Sequence, residues 1–306
     1  MVRVGLVLRP GMTSYSGATA TSTPEILRYV AFSADPAGGN PAGVVPDATG
    51  LDDAEQLAIA AELGYSETAF LTADQQERSY AVRYFSPLAE VPFCGHATVA
   101  AAVALAERIG PGRVLFRTKA GEVPVEVTAG PDGALEATLT SVEPHVVDVT
   151  EAEIAEALAA LGWDPQELDP ALPPRIGYAG ARHLVIAAAT RERLADLAYD
   201  FERLARFMTG LDLVTLQLVW RESADTFHVR NPFPVGGVVE DPATGAAAAA
   251  FGAYLREQGA VTAPAVLTLH QGADLGRPGL LRVELRTDDL RVRVSGTGVR
   301  IPEQGR

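Results

Sequence analysis

The chain of 306 residues holds one cysteine, Cys94. An internal disulfide is therefore impossible, and nothing marks the sequence for an oxidising compartment. Lysine is equally scarce. Lys119 stands alone among 25 basic residues, which face 39 acidic ones for a formal net charge of −14. With no cluster of Lys and Arg, such a surface repels the phosphate backbone, and a nucleic-acid partner is not expected. Long apolar runs are missing too. The opening MVRVGLVLRP is broken by Arg9 and too short for a signal core or a membrane span, so a cytoplasmic protein with no membrane partner is expected. Residues 1–24 are rich in Ser, Thr, Gly and Ala and read as an N-terminal tail.

What is present suits a globular protein: 47% hydrophobic and 21% charged residues, enough for one large domain or two ordinary ones. Strand and helix signals follow one another without strict alternation. ILRYVAFSADPAGGNPAGVVP reads as strand, Gly/Pro loop, strand, with GGNP as the break. LDDAEQLAIAAELG reads as a helix capped by Asp52 or Asp53 and stopped by Gly64. Thr150 followed by Glu153 has the spacing of a capping box, and Gly162 closes that helix. The mixture predicts an α+β fold rather than a doubly wound parallel sheet.

Two stretches stand apart. FCGHATVAAAVALAERIG (93 to 110) and DPATGAAAAAFGAYLREQG (241 to 259) are helices with small residues nearly all round, the pattern of a helix enclosed on every side. Each follows a strand of like wording, AVRYFSP and HVRNPFP. Aligned on Gly110 and Gly259, an offset of 149, Gly95 meets Thr244 and His96 meets Gly245. The repetition predicts two pseudo-symmetric domains, 25–145 and 146–306, each a curled mixed β-sheet around a central Ala-rich helix. The last strands are free to return to the first domain. An enclosed helix presents unpaired N–H groups and partial positive charge at its start, a receptor for a carboxylate. Cys94, Gly95 and His96 stand at the first such end, and Asp241, Thr244 and Gly245 at the second. A small anionic partner fits both.

These residues also carry a resemblance. GNPAGVV (39 to 45), YSETAF (65 to 70), FCGHAT (93 to 98), EDPATG (240 to 245) and QGADLGRPG (271 to 279) resemble, in this order, the phenazine-biosynthesis PhzF-like family, over about residues 26–302. The resemblance implies the diaminopimelate epimerase-like fold, an active site between two like domains, a homodimer, and cofactor-free isomerisation of a small carboxylic acid by proton transfer. It puts the catalytic carboxylate on Glu67, the histidine on His96 and the aspartate on Asp241, with Ser66, Gly95 and Gly245 on the substrate side. Asn40 in GGNPAG is a turn residue by default and a cleft residue in this pattern. At 246 the chain has Ala where phenazine-pathway members usually have Ser, which implies a different recognition of the ring carboxylate.

A Cys-x-His pair raises metal binding, but zinc needs three or four ligands and no second pair is near in sequence, so no metal is expected. With one Cys in the chain, two-thiol epimerisation is excluded by counting. Two alternatives stay open: a lyase in which Cys94 takes the proton, and a small-acid binding protein without catalysis.

Overall fold

Asp52 and Thr150 each open a helix by reciprocal capping. The side chain of each accepts the backbone N–H of a Glu three residues on, and that Glu side chain accepts the cap residue's own N–H. Gly64 and Gly162 close the same helices in the left-handed region, at φ 66° and 68°. A computed structural model describes residues 24–302, so the expected tail at residues 1–24 lies outside the described residues save for Pro24.

The first half of the chain runs β1 (Leu27–Ala31), β2 (Asn40–Val45), α1 (Asp53–Leu63), β3 (Thr68–Ala73), β4 (Ser79–Phe85), β5 (Glu90–Val91), α2 (Gly95–Ile109), β6 (Gly112–Thr118), β7 (Gly121–Ala129) and β8 (Leu135–Thr140). After β9 (His145–Val147) and α3 (Glu151–Leu161) come β10 (Arg175–Tyr178), β11 (Arg182–Ala187), α4 (Arg191–Ala195), α5 (Phe201–Gly210), β12 (Thr215–Arg221), β13 (Thr226–Pro232), β14 (Glu240–Asp241), α6 (Gly245–Glu257), β15 (Ala265–Gln271), β16 (Gly279–Leu285) and β17 (Arg293–Arg300). The fold is a mixed α/β one, with antiparallel pairs joined by parallel ones. Among the described residues no helix is long and apolar enough to cross a membrane.

Strand pairing follows the same scheme in both halves. β1 and β2 are antiparallel, β2 and β3 parallel, β3 and β4 antiparallel, β4 and β6 parallel, β6 and β7 antiparallel. The series β10–β11–β12–β13–β15–β16 has the same senses in the same order. β17 is antiparallel to β16, β8 and β1 at once, so the last strand ties the end of the chain to its beginning.

Helix α2 is buried from Gly95 to Ala106 and packs on β1, β2, β3, β7, β8 and β17. Helix α6 is buried from Gly245 to Leu255 and packs on β9, β10, β11, β12, β16 and β17. Alanine on every side permits this, because larger side chains would hold the surrounding strands off. Helix α1 packs on the outer face of the first strands, and α3 and α5 pack together over β10 to β12.

The matched wording of the two strands before α2 and α6 has a physical cause. Arg83 on β4 donates to both oxygens of Glu90 on β5, at 2.9 and 2.7 Å. Arg230 on β13 donates in the same way to Glu240 on β14, at 3.0 and 2.5 Å. Each arginine thus clips a two-residue strand that delivers the chain to its helix. The three extra residues of the second connection, 233–244 against 86–94, accommodate a 3-10 turn at Pro234–Gly236.

The register of the two alanine helices needs correction. They start at Gly95 and Gly245, an offset of 150 rather than 149, so Gly95 is opposite Gly245 and not Thr244. Aligning their closing glycines fails because those ends are free of each other, whereas the starts touch. A Cβ on Gly95 would lie 2.6 Å from the Ala246 nitrogen and 2.7 Å from the Gly245 Cα. Both obstacles are backbone and cannot rotate away. Gly95→Ala is therefore expected to lower stability by about 1–3 kcal/mol, as overpacking does, although Ala is the better helix former. Urea unfolding measures it, and a midpoint equal to wild type would refute the contact.

Candidate active site

The two touching helix starts bring together residues far apart in sequence. Asn40 is the first residue of β2 and is buried. Its amide nitrogen donates to Asp241 Oδ1 at 2.7 Å and to the Ala243 carbonyl at 3.0 Å, across more than 200 residues of chain. The default of a mere turn residue is thereby replaced by a bridge between the two halves. Thr244 donates its hydroxyl to Asp241 Oδ2 at 2.6 Å. Gln271, in the QGADLG segment, donates to the Asp241 carbonyl at 2.8 Å and to Thr244 Oγ1 at 3.0 Å, and accepts the Thr244 N–H at 2.9 Å. Both oxygens of Asp241 are thus occupied.

Glu67, just before β3, differs. It is 5% exposed, and its Oε2 sits 3.4 Å from His96 Nε2 without the geometry of a hydrogen bond. Ser66 Oγ lies 3.2 Å from His96 Nε2 and reaches Asn40 Oδ1 at 3.5 Å. Cys94 Sγ lies 3.3 Å from His96 Nδ1. The entry to α2 is pinned by Thr98, which donates to the Cys94 carbonyl at 2.6 Å, its own oxygen 2.6 Å from the Tyr84 hydroxyl.

Glu67, Cys94, Gly95, His96, Asp241, Thr244 and Ala246 line one cavity, and Gly245 abuts it through Gly95. Its free space is about 20 Å³, room for one water. Neither Cys94 nor Thr244, the cap positions of α2 and α6, makes a side-chain capping bond, so the first N–H groups of both helices are left for another acceptor.

Burial decides the proton affinities. Glu67 is pushed up to about 8, first by loss of solvent and then by the nearby negative charge of Asp241, with Ser66 and Cys94 pulling against the shift. Asp241 is also raised by burial, with Thr244, Asn40 and Ser66 pulling against the shift. Burial lowers His96 to about 3, so its ring is neutral at working pH. The Cys94 thiol is driven well upward by burial and by the Glu67 charge.

All eight site residues expected from sequence gather here. Glu67, Cys94 and His96 also bring ligand-type atoms within 4.8 Å of one another. The sequence count against a metal considered only histidines and cysteines, and it missed Glu67 as a third donor because β3 and α2 meet only in space. Five further lining residues, Phe93, Val214, His183, Thr215 and Phe233, were not expected. The last three come from β11, β12 and the loop after β13, and no local pattern sets them apart from ordinary core positions.

A carboxyl whose pKa is 4.5 unfolded and about 8 folded is favoured in its protonated form by the fold. Its stabilising share is complete below pH 4.5 and is lost as pH rises towards 8. Glu67→Gln removes that dependence. The variant is expected to gain on wild type by at most about 1.4 kcal/mol per pH unit over this window, read from urea midpoints at acid and mildly alkaline pH. A pH-independent difference would contradict the shift.

The family profile described as PhzC-PhzF, phenazine biosynthesis-like protein, matches residues 29–304. The trans-2,3-dihydro-3-hydroxyanthranilate isomerase of Pseudomonas fluorescens is 31% identical, the match covering 88% of this chain and 94% of that protein. The uncharacterized isomerase YfhB of Bacillus subtilis (strain 168) is 29% identical over 92% of this chain and 97% of its own length. Among solved structures, a predicted epimerase from Pseudomonas aeruginosa superposes with a TM-score of 0.81 at 26% identity, covering 92% of this chain and 98% of that one. With the profile spanning most of the chain and a relative 31% identical over nearly its whole length, the chain belongs to the PhzC-PhzF family of phenazine biosynthesis-like proteins.

Proposed function

We propose that this protein is an isomerase that moves a proton between two carbons of a small carboxylic acid, without a cofactor, through Glu67. The single observation that carries the reading is the Glu67 carboxyl. It is buried beside a cavity with one oxygen free of hydrogen bonds, while both oxygens of Asp241 are held. A carboxylate with a raised pKa is a usable base for a weakly acidic C–H bond, and its conjugate acid can return the proton.

In the proposed reaction the ionised Glu67 takes a proton from one carbon. The electron pair delocalises towards the substrate's unsaturated system, and the Glu67 carboxylic acid then protonates another carbon. Atoms and charge balance with no external reagent. Neutral His96, 3.4 Å from Glu67, orients the carboxyl and the substrate. Asp241, fixed by Asn40 and Thr244, accepts hydrogen bonds from substrate amine or hydroxyl groups. The free N–H groups at Gly95 and Gly245 receive the substrate carboxylate, with Ser66 beside them. The names of the relatives, isomerases in Pseudomonas fluorescens and Bacillus subtilis, support the reaction class.

The same reading includes two pseudo-symmetric domains, 25–145 and 146–306, each a curled sheet about its alanine helix, with β17 shared between them. The matching pairing senses and the paired Arg–Glu clips favour it. A cavity of about 20 Å³ is too small for an acid of this class, so the halves part to admit substrate and close to exclude water.

A Cys94-based lyase is disfavoured. Its thiol is pushed upward by burial beside a carboxylate, the opposite of what a thiolate base requires.

Incubation with trans-2,3-dihydro-3-hydroxyanthranilate in deuterium oxide tests the assignment. Glu67→Gln is expected to lose deuterium uptake by about 10²- to 10⁴-fold, while Cys94→Ala keeps it within a few fold. Loss in Cys94→Ala with retention in Glu67→Gln would overturn the proposal.

A further inference from the structure

His183 is fully buried on β11, and the parallel pairing of β11 with β12 sets it beside Thr215. Its Nδ1 lies 2.8 Å from Thr215 Oγ1. That oxygen already accepts from Asn231 Nδ2 at 3.0 Å, an amide that also donates to Gln217 Oε1 at 2.7 Å and the Leu216 carbonyl at 2.9 Å. The Asn231 amide has two hydrogens for these three oxygens, so Thr215 Oγ1 shares one of them and keeps its own hydroxyl proton, which it can give to His183 Nδ1. In that arrangement the ring proton of His183 sits on Nε2.

That nitrogen has no hydrogen-bond partner in the protein. His183 nevertheless lines the same cavity as Glu67, His96 and Asp241, from the opposite half of the chain. Buried polar groups are rarely left unpaired, and an unpaired group on a residue that lines a ligand cavity is completed by the ligand. Burial lowers the ring's pKa to about 3, so the ring is neutral through the working pH range.

We infer that His183 is a substrate-binding residue that donates its Nε2 proton to a carboxylate oxygen of the bound acid. The three side chains Thr215, Asn231 and Gln217 are positioning residues that fix its tautomer and ring plane. The inference rests on the reading of this cavity as the substrate site and adds a contact from the second half. It supplies a donor for an anionic oxygen in a chain that carries Ala246, without a hydroxyl, at the cavity wall.

The test uses the full chain of Glu67→Gln, which is expected to bind without turnover, labelled with ¹⁵N at histidine. Long-range ¹H–¹⁵N spectra identify the five histidine tautomers, and His183→Phe assigns the signal. Before addition, His183 is expected to carry its proton on Nε2. Titration with trans-2,3-dihydro-3-hydroxyanthranilate, and with benzoate as a bare carboxylate, is expected to shift that proton downfield. His183→Phe, which keeps the ring shape, is expected to weaken binding by about 10- to 100-fold, the loss of one hydrogen bond to a charged oxygen. His183→Gln, which can present an amide N–H, is expected to recover part of it. A proton on Nδ1, an unmoved Nε2 signal at millimolar concentrations of both compounds, or unchanged binding in His183→Phe would overturn the inference. Deuterium exchange persisting in Glu67→Gln would defeat the proton-transfer assignment alone, because the His183 signals report binding independently of turnover.

Discussion

Two helices cannot start against each other unless both lack a side chain there. Gly95 and Gly245 meet this condition, with backbone atoms closer than any Cβ would allow. Much of the site's architecture follows from that contact. It puts two sets of uncapped N–H groups at one point, so that the partial positive ends of α2 and α6 act on the same small volume. It also brings the residues just before each helix, Cys94 on one side and Asp241 to Thr244 on the other, to a common wall. Asn40 then spans the junction by donating to Asp241 and to Ala243.

A contact this tight requires the chain to arrive at the right angle, and each half solves the problem with the same device. Arg83 grips Glu90 and Arg230 grips Glu240, each pair joining a long strand to the short one that leads into the helix. The second pair is buried, and its Glu is the direct neighbour of Asp241. Fork-on-carboxylate geometry fixes direction as well as distance. The two clips thus hold the helix starts while the alanine surfaces let the sheets close around them.

Electrostatics divides the labour between the two buried carboxyls. Each is raised by burial, and each raises the other's cost of ionising. Asp241 is compensated by Asn40 and Thr244, whereas Glu67 keeps one oxygen without a partner. The better-satisfied group is suited to hold charge, and the poorly satisfied one to exchange a proton. His96, beside Glu67, stays neutral because it is buried away from solvent.

Most elements were legible in the sequence because their signals are local. A cap at Asp52 or Asp53, the capping box at Thr150, stops at Gly64 and Gly162, and the alanine helices follow from contacts within a few residues. The short strands β9 and β10 were not legible, since three or four residues gain strand geometry only by pairing with each other and β11. The site was legible only as far as its motifs reach: Glu67, His96, Asp241, Asn40, Ser66 and the glycines lie in recognisable words. His183 and Thr215 lie in HLVI and VTLQ, which look like any buried strand. By itself the sequence determined the helix ends, the duplicated wording and the chemical types at the helix starts, because covalent neighbours settle those. Only the tertiary structure decided that Gly95 opposes Gly245, that Glu67 is dry with a free oxygen, and that a histidine of the far half lines the same cavity, because burial and partnership depend on residues distant in the chain.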